Sequence, residues 1–283
     1  MSPDNKSLAI HWGKHKYPYI LIGLITLINI TVFKDLVSVW INNGNYSHGF
    51  FIIPIATYLF WRERKELVFP SRPAGMGIFL FALGSIGSIV GIAASELFTS
   101  RLSLLFIIWG VSLYYLGNRN FKKVWFPFAF LIFMVPIPAV VYYSATLPMQ
   151  LFSSKITDAV LRVIGMPSVR QGNIIYLPQY TLEIVEACSG LRSLVSLLAL
   201  SALYGYLTLA GVIRPLILFM AAIPIAIIIN IFRLLLTAVM AYSISPEFAD
   251  SFIHDVSGLI VFIVALILVV ITGTILKWSR KPS

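Results

Sequence analysis

"RPLILFMAAIPIAIIINIFRLLLTAVMAY", Arg214 to Tyr242, is apolar from one end to the other except at Asn230 and Arg233. A run of this length without a break in hydrophobicity is a membrane-spanning helix. Asn230 and Arg233 are three residues apart and share a helical face, so the amide can hold the guanidinium. An arginine inside a span costs about 2.5–3.5 kcal/mol on insertion scales, so it normally faces a polar interior and has a purpose there. Snorkelling or a structural ion pair is the bland alternative. At ~1.5 Å per residue, Arg233 lies ~13 Å from the Tyr242 end.

The rest of the chain follows the same rule. Of its 283 residues 59% are hydrophobic and 11% charged, with a mean hydropathy of +0.90. No soluble domain needs so much apolar surface, and the ten-residue alternation of an outer-membrane barrel is missing. The expected class is an all-α polytopic membrane protein. About eight spans are predicted, at 17–33, 49–61, 74–93, 102–117, 124–141, 190–209, 214–241 and 256–277. They form one domain over 1–283, without internal repeats. A cytoplasmic N-terminus puts fourteen of the 21 basic residues inside, among them Lys14, Arg62, Arg72, Lys122, Arg214 and Lys277. Both termini are then cytoplasmic. The net charge of +10 is a topology signal, with membrane lipid as the partner and no nucleic acid. Residues 1–16 followed by the first span read as a signal anchor, without a cleavage site. One cysteine permits neither an intramolecular disulfide nor a thiolate metal cluster, and no metal or other cofactor is expected.

Most loops are short, but 142–189 forms a long outward segment. Its first half carries an apolar stripe (Leu151, Ile156, Val160, Ile164) broken by Lys155, Asp158 and Arg162, which suits an amphipathic helix at the interface. In its second half, Ile174 to Tyr176 and Tyr180 to Val185 are β-branched and aromatic, separated by Leu177-Pro178-Gln179. They predict a β-hairpin, with Tyr180, Leu182 and Ile184 on one face and Thr181, Glu183 and Val185 on the other. Its open edge could pair with an extended peptide. A lid packed on the helix ends is the equally simple reading.

The hairpin leads to "EACSGLRSL", Glu186 to Leu194, which holds the lone cysteine, Cys188. Ser189-Gly190 caps the following span. A thiol at a helix N-terminus feels the positive end of the dipole, which lowers its pKa toward the thiolate. The free N–H groups there could stabilise an oxyanion. Against this, a single cysteine in a membrane protein is most often a small apolar residue. Of the four histidines, His11 and His15 fall on the cytoplasmic side, whereas His48 and His254 fall outside. Asp250, four residues before His254, could orient its imidazole on a helix. Arg192, four residues after Cys188, is a second candidate cation.

"EACSGLR", then a helix carrying "IINIFR", then a histidine before the last span resembles the exosortase/archaeosortase family. "YSHGFFIIPIATYLFWRER" is similar to that family's early membrane segment. The resemblance implies a membrane cysteine transpeptidase in the cytoplasmic (inner) membrane. Such an enzyme cuts a C-terminal sorting signal from exported proteins at the extracytoplasmic face. The signal would be a Pro-Glu-Pro-type motif, a helix and a basic tail. The family's Cys, Arg and His map onto Cys188, Arg233 and His254. Glu186, Ser189, Gly190, Arg192, Asn230, Asp250 and His48 stand as supporting or substrate-binding positions. The acceptor could be an amine, a lipid or glycan hydroxyl, or water. Two rivals stay open. One is a membrane acyltransferase acting on lipid or polysaccharide through the same cysteine. The other is a transporter with Asn230 and Arg233 lining a path, which would predict broken helices at mid-membrane and internal symmetry.

Overall fold

The computed structural model describes residues 17–69, 71–184, 191–249 and 254–278. The chain forms two compact units, up to Ile137 and from Pro138 onward. Among the described residues four helices are long and apolar enough to cross a membrane: Gly75–Ala93, Leu97–Phe121, Ile213–Ser243 and Gly258–Trp278. A fifth is added if the broken pair Trp125–Met134 and Ala139–Val163 makes one span. The protein is thus a predominantly helical, polytopic membrane protein. Four of the predicted spans coincide with these four helices.

In the first unit, α1 (Tyr17–Ile28) and α2 (Ile30–Asn42) extend the predicted first span by nine residues. They are interrupted at Asn29, which is almost fully buried. Its amide donates to the Ile25 carbonyl at 3.0 Å and accepts from the Ser88 hydroxyl at 2.9 Å. α3 (Gly49–Glu63) matches the predicted second span, but its 15 residues reach only about 22 Å. α4 (Gly75–Ala93) and α5 (Leu97–Phe121) form a helical hairpin. Between them Glu96 caps α5, accepting from the amides of Phe98 and Thr99. A hydrogen bond from the Thr99 side chain above all, then those amide bonds, hold its carboxyl below the usual range. Helical geometry in α5 breaks at Gly117 (φ +71), where the predicted span ends. There the Arg72 carbonyl presses on the backbone and leaves no room for a Cβ. Arg101 on α5 is buried and grips Asp35 on α2, its Nη2 2.7 Å and its Nε 2.8 Å from Oδ2.

Glycine sets the spacing of the α4–α5 pair. A Cβ on Gly110 would collide with the Phe81 amide and lie 2.7 Å from the Gly77 carbonyl, both backbone groups. Small residues at such contacts let helix backbones approach and gain dispersion where no hydrophobic drive acts. Gly110→Ala is therefore expected to cost about 1–3 kcal/mol through overpacking. The midpoint of thermal unfolding in detergent should fall by several degrees. Gly75→Ala, where an added Cβ meets nothing within 4 Å, should leave it in place.

The predicted span 124–141 is not continuous. α6 (Trp125–Phe130) tightens into a 3₁₀ turn over Leu131–Met134, and the chain then runs extended into Pro138. Pro136 and Pro138 supply no N–H and bias Val135 and Ile137 away from helical backbone, so the apolar run cannot stay helical.

The second unit opens with α7 (Ala139–Val163), which begins before the expected amphipathic helix and buries its polar face. Thr146, Gln150, Ser153, Ser154, Thr157 and Asp158 are buried, while Val140, Tyr143, Leu147, Leu151 and Phe152 are exposed. This apolar face turns away from the protein, the arrangement expected where lipid is the solvent; of the expected stripe Leu151 and Ile164 are exposed and Ile156 and Val160 half-buried. The expected hairpin is there, as β2 (Ile174–Leu177) and β3 (Tyr180–Glu183), linked by Pro178-Gln179. A third strand, β1 (Val169–Gln171), joins it to give the order β1-β2-β3. Leu182 and Ile184 are buried, and Thr181 and Glu183 exposed, as the alternation predicts. Val185 lies outside the described residues. α8 (Leu191–Thr208), α9 (Ile213–Ser243), the short α10 (Pro246–Phe248) and α11 (His254–Trp278) complete the unit. α9 packs against α7, α8 and α11. Its buried stripe of Ala222, Ala226, Ala238 and Ala241 suits close helix contacts.

Candidate active site

The sheet is fastened to α9 by its apolar face. Ile175, Leu177, Leu182 and Ile184 form one buried cluster with Leu161 of α7 and with Leu234 and Ala238 of α9, and Tyr180 packs at its edge. Arg233 immediately precedes Leu234, so the sheet docks at the level of the arginine. The guanidinium is half-buried and turns toward α11. A Cβ built on Gly258 would lie 4.0 Å from its Nη1. Gly258 is one turn beyond His254, the first residue of α11, so the two positions share a helical face. Asn230, one turn before Arg233, is 2% exposed. The Arg233 carbonyl accepts from the Thr237 hydroxyl at 3.0 Å.

Within this unit the structure brings together Arg233, Asn230, the face of α11 that begins at His254, and the strand leading toward Cys188. The described chain leaves the sheet at Ile184, in contact with α9, and resumes at Leu191 as α8, which also packs on α9. Glu186, Cys188, Ser189, Gly190 and Asp250 lie outside the described residues. Arg192 stands in the first turn of α8, next to the predicted capping position, and His254 opens α11. The side chains of both lie outside the description.

His48 belongs to the first unit and has a structural employment there. Its Nε2 donates to the Phe133 carbonyl at 3.2 Å. Trp40 Nε1 donates to Met134 O at 3.1 Å and Tyr46 Oη to Ile137 O at 3.4 Å. Three side chains thus take up carbonyls that the Pro136–Pro138 interruption deprives of helical partners. Gly49 lets the Trp40 indole lie directly on the backbone, where a Cβ would overlap it. The sequence reading missed this clasp and the roles of Trp40 and Tyr46. The signal was available: two prolines two apart must free carbonyls, and the "YSHG" stretch is polar enough to meet them.

Burial pushes the His48 pKa down, against the raising effect of its bonds with the Phe133 and Asn45 backbones. A histidine whose folded-state pKa lies below the unfolded value near 6.5 resists protonation only while folded. Its contribution is therefore full above that value and declines as the pH falls through the window below it. The thermal midpoint of the wild type should drop between pH 7 and pH 5, and His48→Gln should remove part of that drop. At pH 7 His48→Ala should lower the midpoint through the lost bond.

The buried polar face of α7 was also missed. Asp158 accepts from the Ser168 hydroxyl at 2.7 Å and pairs with Arg162 at 3.0 Å. Ser154 donates to the Gly172 carbonyl at 2.9 Å, and Arg170 reaches the same oxygen at 2.7 Å. The Ser168–Asp158 and Ser154–Gly172 bonds bind the β1 side of the sheet to α7. Small hydroxyl residues recurring at 146, 153, 154 and 157 were the available sign.

The family model of the transmembrane exosortase (Exosortase_EpsH) covers residues 40–271. No curated protein and no solved structure matches the chain. The match spans most of the sequence, and the chain belongs to the transmembrane exosortase family.

Proposed function

We propose that this exosortase is a cysteine transpeptidase of the cytoplasmic membrane that processes the C-terminal sorting signal of exported proteins. The single observation that carries the assignment of roles is the position of Arg233. It lies at the level where the sheet leading toward Cys188 docks on α9, and its guanidinium points at the face of α11 that begins at His254.

In this reading the eight apolar segments cross the membrane with both termini cytoplasmic, and the sheet lies on the outer face. The Cys188 thiolate attacks the peptide carbonyl beside a Pro-Glu-Pro-type motif. Arg233, held by its buried setting beside Asn230, stabilises the oxyanion or binds an acidic substrate residue. His254, oriented by Asp250, protonates the amine as the C–N bond breaks, leaving a thioester on Cys188. It then takes a proton from the incoming nucleophile, which displaces the thiolate. An amine, a lipid or glycan hydroxyl, or water can serve as that nucleophile. Glu186, Ser189, Gly190 and Arg192 frame the thiol at the start of α8. The site needs no cofactor for this chemistry.

The test is intact-mass analysis of a co-expressed exported reporter ending in a Pro-Glu-Pro motif, an apolar helix and a basic tail. Loss of the helix and tail with a defined added mass identifies transfer and its acceptor, and loss with a water identifies hydrolysis. A reporter that keeps its full mass, or that is acylated without cleavage, overturns the proposal.

A further inference from the structure

We infer that the free edge of β3 is the strand on which the substrate is bound, pairing in extended form with the backbone of Thr181 and Glu183. This rests on the peptide-transfer reading and adds how the peptide is held. The geometry comes from the register. The Ile184 amide donates to the Asn173 carbonyl at 3.0 Å, and Ile184 faces its partner strand. In an antiparallel ladder the inward and outward backbone groups alternate, so positions 180, 182 and 184 bond toward β2 while Thr181 and Glu183 turn their N–H and C=O outward. The pairing of Tyr176 with Thr181 and of Ile174 with Glu183 agrees with this.

Both residues are exposed, and no strand lies beyond β3 among the described residues. The opposite side of the sheet is occupied, because β1 and its flanking turns are bound to α7 through Ser168 and Gly172, with Arg170 reaching the Ser154 hydroxyl at 3.5 Å. β3 is therefore the open edge, and an open edge is a ready template for another chain. The sheet is also held rigidly for such a role, with its apolar face locked on Leu234 and Ala238. The occupant follows from where the edge leads. β3 ends at Glu183 and the chain reaches Cys188 five residues later, which in the peptide-transfer reading puts the scissile bond next along a strand paired there. An edge binds main chain, not side chains, which suits an enzyme that must accept many exported proteins sharing only a short motif. The occupant is the extended segment of the substrate adjoining the scissile bond.

The experiment uses the full-length enzyme in membranes with the sorting-signal reporter. Thr181→Pro removes an outward N–H and places the ring at the edge, leaving the β2–β3 bonds intact. It should lower conversion of the reporter ten-fold or more, while maleimide labelling of Cys188 stays at the wild-type rate. Thr181→Val, which keeps the N–H, should recover conversion well above that of Thr181→Pro. Wild-type conversion by Thr181→Pro would overturn the inference. Should Thr181→Pro fail to accumulate, a peptide scan decides. Reporter peptides methylated at one backbone nitrogen at a time should lose activity with a period of two along the segment, and a flat profile would overturn the inference. Equal processing by wild type and Cys188→Ala would instead remove the peptide-transfer reading, and the inference with it.

Discussion

Cys188→Ala is expected to abolish processing of the reporter while the protein still inserts and accumulates. With the nucleophile gone, a covalent mechanism loses its first step, and losses of about 10⁴-fold or more are usual when such a residue is removed. The chain contains no second cysteine to substitute for it. Cys188→Ser should be nearly as inactive, because a hydroxyl titrates far above a thiol and the start of α8 offers only a modest electrostatic pull. Conversion is measured by intact mass, with each variant's level matched by blot. Normal conversion by the alanine variant would remove Cys188 from the chemistry.

The second large effect separates Arg233 of α9 from Arg192 at the start of α8. Arg233→Lys should lose most activity, by about 10²-fold, the scale seen when one oxyanion donor is removed. Arg192→Lys should stay within a few-fold of wild type. The settings differ. Arg233 is half-buried in a long apolar helix, beside a buried Asn230 and against α11. Poor solvation there strengthens its attraction for any anion, and a planar fork cannot be reproduced by an ammonium. Arg192 stands in the first turn of its helix, at the end of the apolar run, where a lysine can supply the same charge. His254→Ala should resemble Arg233→Ala. His48→Ala should convert the reporter at a near-normal rate per folded molecule, since its bond to Phe133 serves the fold. A dead Arg192→Lys beside an active Arg233→Lys would place the oxyanion cation on α8.

The hairpin shows how far local pattern carries. Alternation along Tyr180–Ile184 correctly put Leu182 and Ile184 on one face and Thr181 and Glu183 on the other, because in a strand the two faces follow from residue parity alone, and the fold buried the first. β1, three residues containing Arg170, is too short to show a period and exists because β2 offers it a ladder. The α7 stripe was legible as a stripe, yet hydrophobicity alone cannot say which face meets protein and which meets lipid.

What the sequence by itself determined is therefore the class, and it supplied the candidates for the site. Long apolar runs must be helices in a membrane, because a backbone without water has to bond to itself. Cys188, Arg233 and His254 stood out as polar or reactive residues in or beside such runs. Only the tertiary structure decided that Arg233 turns to the face of α11 that starts at His254, and that the sheet seats on Leu234 beside it. It also decided that His48 closes a broken helix in the first unit. Those outcomes depend on contacts between segments tens of residues apart, such as Leu182 against Leu234 or His48 against Phe133. Periodicity within one segment holds no record of its neighbour.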